Sequence, residues 1–256
     1  MAMREGMRTA AVLGALLLTG CGQGASNFKP LGGGEPGGGD GSRTVECGGS
    51  VYDADELADA PPASSLTGGP AGAVDDLGDP AFDPTLDWSV VHQDDGRVDL
   101  VRELEEPFDN GGGDIRTHES SSLERITGSS NVPDGTWMLM SAGPCAPRLV
   151  DDTGLEVADV TLADTPAPED STLDLLIQER ACASGQDADG RIEVDLAETA
   201  TQVRLRVGVR PLPGGQNCPS NPGTPFTVEL AEPLGDREVV DASVVPARPV
   251  TVAASD

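Results

Sequence analysis

The stretch Val203-Arg-Leu-Arg-Val-Gly-Val-Arg210 decides how this chain is read. Side chains alternate across a β-strand with period two. Val203, Leu205, Val207 and Val209 therefore share one face, and Arg204, Arg206 and Arg210 the other. A strand with one apolar and one cationic face is half-buried. Phe226, Val228 and Leu230 repeat the alternation. Around these two, Leu155–Leu162, Thr172–Glu179, Arg191–Leu196, Gln202–Arg210, Pro225–Glu232 and Arg237–Ala242 all read as strands. Proline-rich loops at Pro166–Pro168 and Pro211–Pro225 separate some of them. Short strands at this rhythm are the signature of sandwiches and barrels. The fold class expected is mainly β, with residues 151–256 as a β-sandwich-like domain.

Residues 44–150 are expected to form a first domain of β-hairpins with short helices. Trp88-Ser-Val-Val-His-Gln93 and Arg97-Val-Asp-Leu-Val101 flank Asp94-Asp95-Gly96, whose Asp-Gly step supplies a hairpin turn. Ser122–Ile126 and Thr136–Ser141 form a second candidate pair, joined by the polar stretch Thr127–Gly135. Asn110 to Asp114 is a glycine loop. Asp53–Leu57 and Ala71–Leu77 are read as short helices, each limited by neighbouring Pro and Gly.

The chain of 256 residues carries 16 Lys+Arg against 44 Asp+Glu, a formal charge of −28. Such a surface repels nucleic acid, so no nucleic-acid partner is expected. Aromatic residues make up only 3% of the chain, so any core must be built from Val, Leu, Ile and Ala. Small domains of this kind are marginal without covalent staples.

At the amino terminus, Met1–Arg8 carries Arg4 and Arg8, and Thr9 to Leu18 is an uncharged apolar run. Ten residues are too few to span a hydrocarbon core, which needs roughly 20. Residues 1–20 therefore read as a signal peptide. Its end, Leu18-Thr19-Gly20-Cys21, resembles the lipobox of bacterial lipoproteins. That resemblance implies cleavage before Cys21 and a diacylglyceryl group on its sulfur. The membrane would then be a partner through acyl chains on Cys21, and the location would be lipid-anchored on the extracytoplasmic side of the cell membrane. More than one acyl chain meets the requirement for stable anchoring. Residues 21–43 are then the lipidated cysteine and a glycine-rich tether. Its 22 residues from Gly22 have an r.m.s. span of roughly 25 Å.

Lipidation of Cys21 leaves four cysteines, Cys47, Cys145, Cys182 and Cys218. An exported chain meets an oxidising compartment, so two disulfides are expected. Three connectivities are open. Cys47–Cys145 with Cys182–Cys218 is preferred, because each bridge then closes one of the two proposed domains. A zinc site is disfavoured by the lack of a C-x-x-C pair or paired histidines.

Three further stretches carry a second resemblance. Glu179-Arg-Ala-Cys-Ala-Ser-Gly185, Val209-Arg-Pro-Leu-Pro-Gly-Gly-Gln-Asn-Cys-Pro219 and Leu230-Ala-Glu-Pro-Leu-Gly-Asp-Arg237 resemble segments of uncharacterised actinobacterial exported proteins. The likeness extends back to Trp137 and Cys145-Ala-Pro-Arg148. It implies the Cys182–Cys218 pairing and carries no activity with it.

No motif assigns a reaction. Asp187-Ala-Asp-Gly-Arg-Ile192 matches part of a calcium loop, but Gly185 and Leu196 occupy the first and twelfth ligand positions. It reads as an acidic turn. His92 and His118 are the only histidines, and Ser120, Ser121 and Ser122 follow the second, yet no G-x-S-x-G elbow is present. Gly111-Gly-Gly113 lacks the strand and helix context of a phosphate loop. No catalytic residue, metal or cofactor is assigned. The stripe Arg204, Arg206 and Arg210 is a candidate patch for an anion or partner protein. Its plainer reading is a solvent face paired with acids such as Glu193 and Asp195. The expectation is a cell-surface lipoprotein with a non-catalytic binding or envelope-interaction ectodomain, facing an envelope protein partner. A carboxylate-based exported hydrolase is the alternative, and a small-ligand capture lipoprotein the weaker one.

Overall fold

A computed structural model describes residues 43–76, 86–150 and 153–254. The signal segment, Cys21 and the tether up to residue 42 lie outside the described residues, as does Leu77 at the end of the second expected helix.

The protein is mainly β, as the alternating stretches require. The first sheet begins with β1 (Thr44–Cys47) and β2 (Ser50–Asp53). Gly48 and Gly49 turn the chain between them with φ of +61° and +89°. The helix expected at Asp53–Leu57 does not form there. β2 runs to Asp53, and a single 3-10 turn follows at Leu57–Asp59. Pairing with β1 outweighs the weak local helix preference of so short a stretch. α1 (Gly69–Asp76) starts earlier than expected, with Pro70 in its first turn, where the missing N–H costs nothing.

The second sheet is β3 (Ser89–Gln93), β4 (Arg97–Asp109), β5 (Ile115–Arg125) and β6 (Trp137–Cys145), in that order. Asp94 closes the expected hairpin turn, accepting from the N–H groups of Gly96 and Arg97 at 2.7 Å. Val98, Leu100 and Leu123 meet α1, Trp88 and Trp137 in one core cluster. β7 (Arg148–Leu149) returns to pair with β1. Cys47 and Cys145 form a disulfide, so the first sheet is tied to the last strand of the second.

The third sheet comprises β8 (Glu156–Leu162), β9 (Thr172–Glu179), β10 (Ile192–Glu198), β11 (Gln202–Val209), β12 (Thr224–Glu229), β13 (Glu238–Asp241) and β14 (Arg248–Pro249). The order is β12-β9-β8-β11-β13-β14, with β10 on β11. β8 pairs with β9 through residues 158–162 and with β11 through residues 156–157. One strand thereby feeds both halves of a sandwich-like layer pair. Val203, Leu205, Val207 and Val209 all face the core, alongside Leu173, Leu175, Ile177 and Val228. Each such side chain contributes roughly 1.5–3 kcal/mol through burial. Gly208 is the one small residue in the stretch. A Cβ there would lie 2.8 Å from Leu155, so the glycine admits that side chain.

The expected segments 44–150 and 151–256 hold separate main sheets, and the described residues of both belong to one compact unit. Leu149 donates to the Ser243 carbonyl and Val245 to that of Pro147, both at 2.9 Å.

Candidate functional site

The seam between the second and third sheets carries a polar cleft of about 550 Å³. One wall is the loop Asn110–Asp114, which joins β4 to β5. Its three glycines have φ of +85°, +61° and +85°, a region open to glycine at no steric cost. Gly113 is also demanded by space, and Gly112 meets only the movable end of a side chain. A Cβ on Gly112 would lie 2.5 Å from Gln178 Oε1, and one on Gly113 would lie 2.8 Å from the Val160 carbonyl oxygen. The loop seats directly on β8 and β9. Arg248 of β14 holds it from the other side, donating to the carbonyls of Gly113 and Ile115. Gly113 is thus what lets the loop dock on the neighbouring sheet.

The opposite wall is the end of β9 and the segment after it. Alternation puts Leu173, Leu175 and Ile177 inside, and the strand's last residues Gln178 and Glu179, with Arg180 just beyond, lie at the cleft. The second disulfide, Cys182–Cys218, joins this wall to Pro219, Ser220 and Asn221. By loop length it restricts the unfolded chain by about 4 kcal/mol in the entropic model.

Carboxylates and guanidinium groups alternate through the seam. Asp114 Oδ2 accepts from Arg116 at 2.6 Å and from Arg180 at 2.7 Å. Arg180 also reaches Asp159 at 2.9 Å, and Arg148 donates to the other oxygen of Asp159. Glu179 receives two bonds from Arg191, at 2.9 and 2.5 Å. Asp114 and Asp159 are each 4% exposed and Glu179 3% exposed. Burial resists ionisation of Asp114, but Arg116, Arg180 and Asn110 outweigh it and hold its carboxyl well below the usual range. For Arg180 burial favours losing the proton, and the two acids more than compensate, raising its pKa.

Asn221, 7% exposed, stands apart from this balanced set. Its amide group donates to the carbonyls of Glu179 at 2.9 Å and Ala181 at 2.7 Å. Both donations fix which end of the amide is nitrogen. Its Oδ1 is buried with no hydrogen-bond partner among the described residues. A buried acceptor left this way costs about 1–3 kcal/mol.

Of the stretches singled out by sequence, the glycine loop Asn110–Asp114, the start of the Glu179–Gly185 segment and the second disulfide line the cleft, and the other candidate residues are placed elsewhere. Both disulfides form in the preferred pairing, Cys47–Cys145 and Cys182–Cys218. The arginine stripe lies on β11 opposite β10: Arg206 faces Asp195 and Arg204 faces Ala197 in register. Arg204 donates to Gln202, and Arg210 pairs with Glu193 at 3.3 Å. His92 lies exposed on β3 near Asp94. His118 is buried in β5, its Nδ1 sharing a hydrogen bond with Thr117 Oγ1 at 2.9 Å. Ser120, Ser121 and Ser122 are buried beside it in the strand. The Asp187–Asp189 stretch is a turn in which Arg191 donates to the Asp187 carbonyl. Among the described residues, no three His, Cys, Asp or Glu side chains converge as a metal site.

The sequence assigns no functional role to Asp114, Asp159, Arg180 or Asn221. The one local signal is Asp114-Ile-Arg116, an acid and a base two positions apart where the loop enters β5. A scan against family models, a search of curated proteins and a search of solved structures each return no match.

Proposed function

We propose that this protein is a lipid-anchored, extracytoplasmic lipoprotein whose β ectodomain binds a ligand at the seam cleft without transforming it. The observation that carries the binding reading is that each carboxylate lining the cleft is held by an arginine. Carboxylate-based hydrolysis needs one acid kept protonated near neutral pH beside one that is ionised. Asp114 is biased the other way, towards the charged form. Asp159 and Glu179 have both of their oxygens engaged by guanidinium donors. Such a set is rigid, and it is well suited to orienting a ligand. The cleft volume lies within the roughly 300–1,000 Å³ of small-molecule sites.

The anchor rests on Leu18-Thr19-Gly20-Cys21. Removal of residues 1–20 takes away Arg4, Arg8 and Glu5, leaving 14 Lys+Arg against 43 Asp+Glu, or −29. A body of that charge is repelled by anionic headgroups, so acyl chains are what would hold it at the surface. The test is fractionation of cells making the Cys21→Ser variant. Release from the membrane fraction is expected, and continued retention would remove the anchor.

A further inference from the structure

Beyond the non-covalent binding proposed above, and independently of it, we infer that the Cys182–Cys218 disulfide is a thiol–disulfide exchange site for small thiols without net negative charge. The contrast between the two disulfides leads there. Cys47 and Cys145 are buried and belong to the core cluster of Val45, Tyr52 and Val101. Cys182 and Cys218 are both exposed, and both line the seam cleft. Exchange begins when a thiolate attacks a disulfide sulfur, so it depends on access. A small thiolate reaches the second bridge in the folded protein, and the first only after its cluster opens.

The local structure lets the bond open without unfolding the domain. Its sulfurs sit on loops, residues 180–191 between β9 and β10 and residues 210–223 between β11 and β12. Breaking the bond therefore breaks no strand pairing. The two loops are also held together without it. The Ser184 N–H donates to the Asn217 carbonyl at 3.0 Å, and the Asn217 N–H donates to Ser184 Oγ at 3.1 Å. Ser184 Oγ donates to Gln216 Oε1 at 2.8 Å. Asn221 ties the second loop to the carbonyls of Glu179 and Ala181. Sulfurs kept side by side in this way re-form their bond once the thiol departs. Ser184 is also the one non-glycine residue among the described residues with a left-handed φ, +55°. Strained backbone of this kind gathers at sites of reaction and switching.

In the step itself the attacking thiolate forms a bond to one cysteine sulfur. The Cys182–Cys218 bond breaks, and its electron pair leaves on the other sulfur, which takes a proton from water. One disulfide is exchanged for another, so no oxidant or reductant is consumed. The formal charge of −28 sets which thiols arrive. It repels a thiol that carries a carboxylate during approach. An aminothiol, whose ammonium group balances its thiolate, meets no such repulsion.

The experiment uses the full chain carrying Cys21→Ser, in which the other four cysteines are paired. The folded protein is mixed with cysteamine, 2-mercaptoethanol or mercaptoacetate, quenched with N-ethylmaleimide and mapped by mass spectrometry of its peptides. Each rate is divided by the rate of the same thiol with bis(2-hydroxyethyl) disulfide, which cancels differences in thiol pKa. The expected product carries the thiol on one of Cys182 and Cys218 and the maleimide on the other, with Cys47 and Cys145 still paired. Normalised rates should fall about fivefold from cysteamine to mercaptoacetate at low salt, with 2-mercaptoethanol between them. The three should converge in about 0.5 M sodium chloride, where the charges are screened. Absence of label on Cys182 and Cys218 in the folded protein would overturn the site, as would labelling of all four cysteines at one rate. Equal normalised rates for the three thiols at low salt would overturn the selection by charge.

Discussion

The guanidinium group of Arg180, just past the end of β9, lies 2.7 Å from the carboxylate of Asp114, which belongs to the loop between β4 and β5. Sixty-six positions of sequence separate a clamp from its anchor. The same nitrogen reaches Asp159 on β8, and Asp159 is shared with Arg148, next to the first disulfide. A chain of four charges therefore crosses from one sheet to another.

The innermost link of that chain should be the most sensitive. Arg148 is 8% exposed and Asp159 4%. Arg148→Met leaves a buried carboxylate with one partner in place of two. Breaking a buried pair typically costs about 3–5 kcal/mol, and the remaining bond from Arg180 should hold the loss near the lower end. Urea unfolding measures it. The double variant Arg148→Met, Asp159→Leu should recover part of the deficit, since no uncompensated charge stays behind. A single-variant loss below about 0.5 kcal/mol would show that the pair is not part of what holds the seam.

Acid should undo the same network from the Asp114 side. Its folded pKa is depressed, because the bonds from Arg116, Arg180 and Asn110 outweigh burial. A depressed carboxylate contributes stability that is fully present above its unfolded pKa of about 3.9. That contribution is lost as pH falls through the folded value. Stability measured from pH 6 down to pH 2 should drop below about pH 4 in the parent. Asp114→Asn should start lower and fall less steeply over the same window. Equal slopes for the two proteins would dissociate Asp114 from acid sensitivity.

His118 acts in a different window. Burial lowers its pKa, with the nearby charge of Glu103 opposing the shift only in part. The native state thus binds its proton less readily than the unfolded chain, whose histidine titrates near 6.5. Stability is full above that value and declines as pH falls below it, until the folded pKa is reached. His118→Gln should flatten the change in Tm between pH 7 and pH 5. A parent protein whose Tm is already flat there would contradict the assignment.

Residues whose burial is apolar were the ones readable in advance. Thr172–Glu179 matches β9 at both ends, and the other five strands expected after residue 150 are observed within three residues of their expected ends. β9 and β11 bury Val, Leu or Ile on alternate positions, and period two is visible without a structure. The start of β5 was not visible, because Ile115-Arg-Thr-His-Glu119 carries the pairing with His and Thr where an apolar face would be. β1 and β2 were missed for another reason. Each has four residues, and their stability comes from β7 and the first disulfide, both about a hundred positions away. The cleft was hidden in the same way. Asp114, Asp159, Arg180 and Asn221 share no local spacing, and in a chain with 44 acids no single carboxylate stands out.

The arginine stripe gives a test of electrostatics across strands. Asp195 and Arg206 are directly opposed on β10 and β11. Opposite charges facing each other are worth roughly 0.2–1 kcal/mol, and like charges are destabilising. Arg206→Glu should lower stability by about 1 kcal/mol, and adding Asp195→Lys should restore most of it. If the single variant is neutral in stability but loses binding to envelope components in pull-downs, the stripe is a partner surface.

The glycine loop allows backbone strain and steric fit to be separated within one five-residue turn. Gly111 and Gly113 have the same φ, +85°. A Cβ on Gly111 meets nothing within 4 Å, whereas one on Gly113 would lie 2.8 Å from the Val160 carbonyl oxygen and 2.9 Å from Thr161 Cγ2. Gly111→Ala should therefore cost only the price of a left-handed alanine, about 1–2 kcal/mol. Gly113→Ala should cost that and more, because the loop must also lift off β8. Lifting it stretches the bonds from Arg248 to Gly113 and Ile115 and moves Asp114 away from Arg180. Amide exchange should show the difference directly. Protection at the tip of β4 and β5 is expected to survive Gly111→Ala and to collapse in Gly113→Ala, while protection along β11 stays high in both. Equal effects of the two substitutions would mean that the loop does not dock the two sheets.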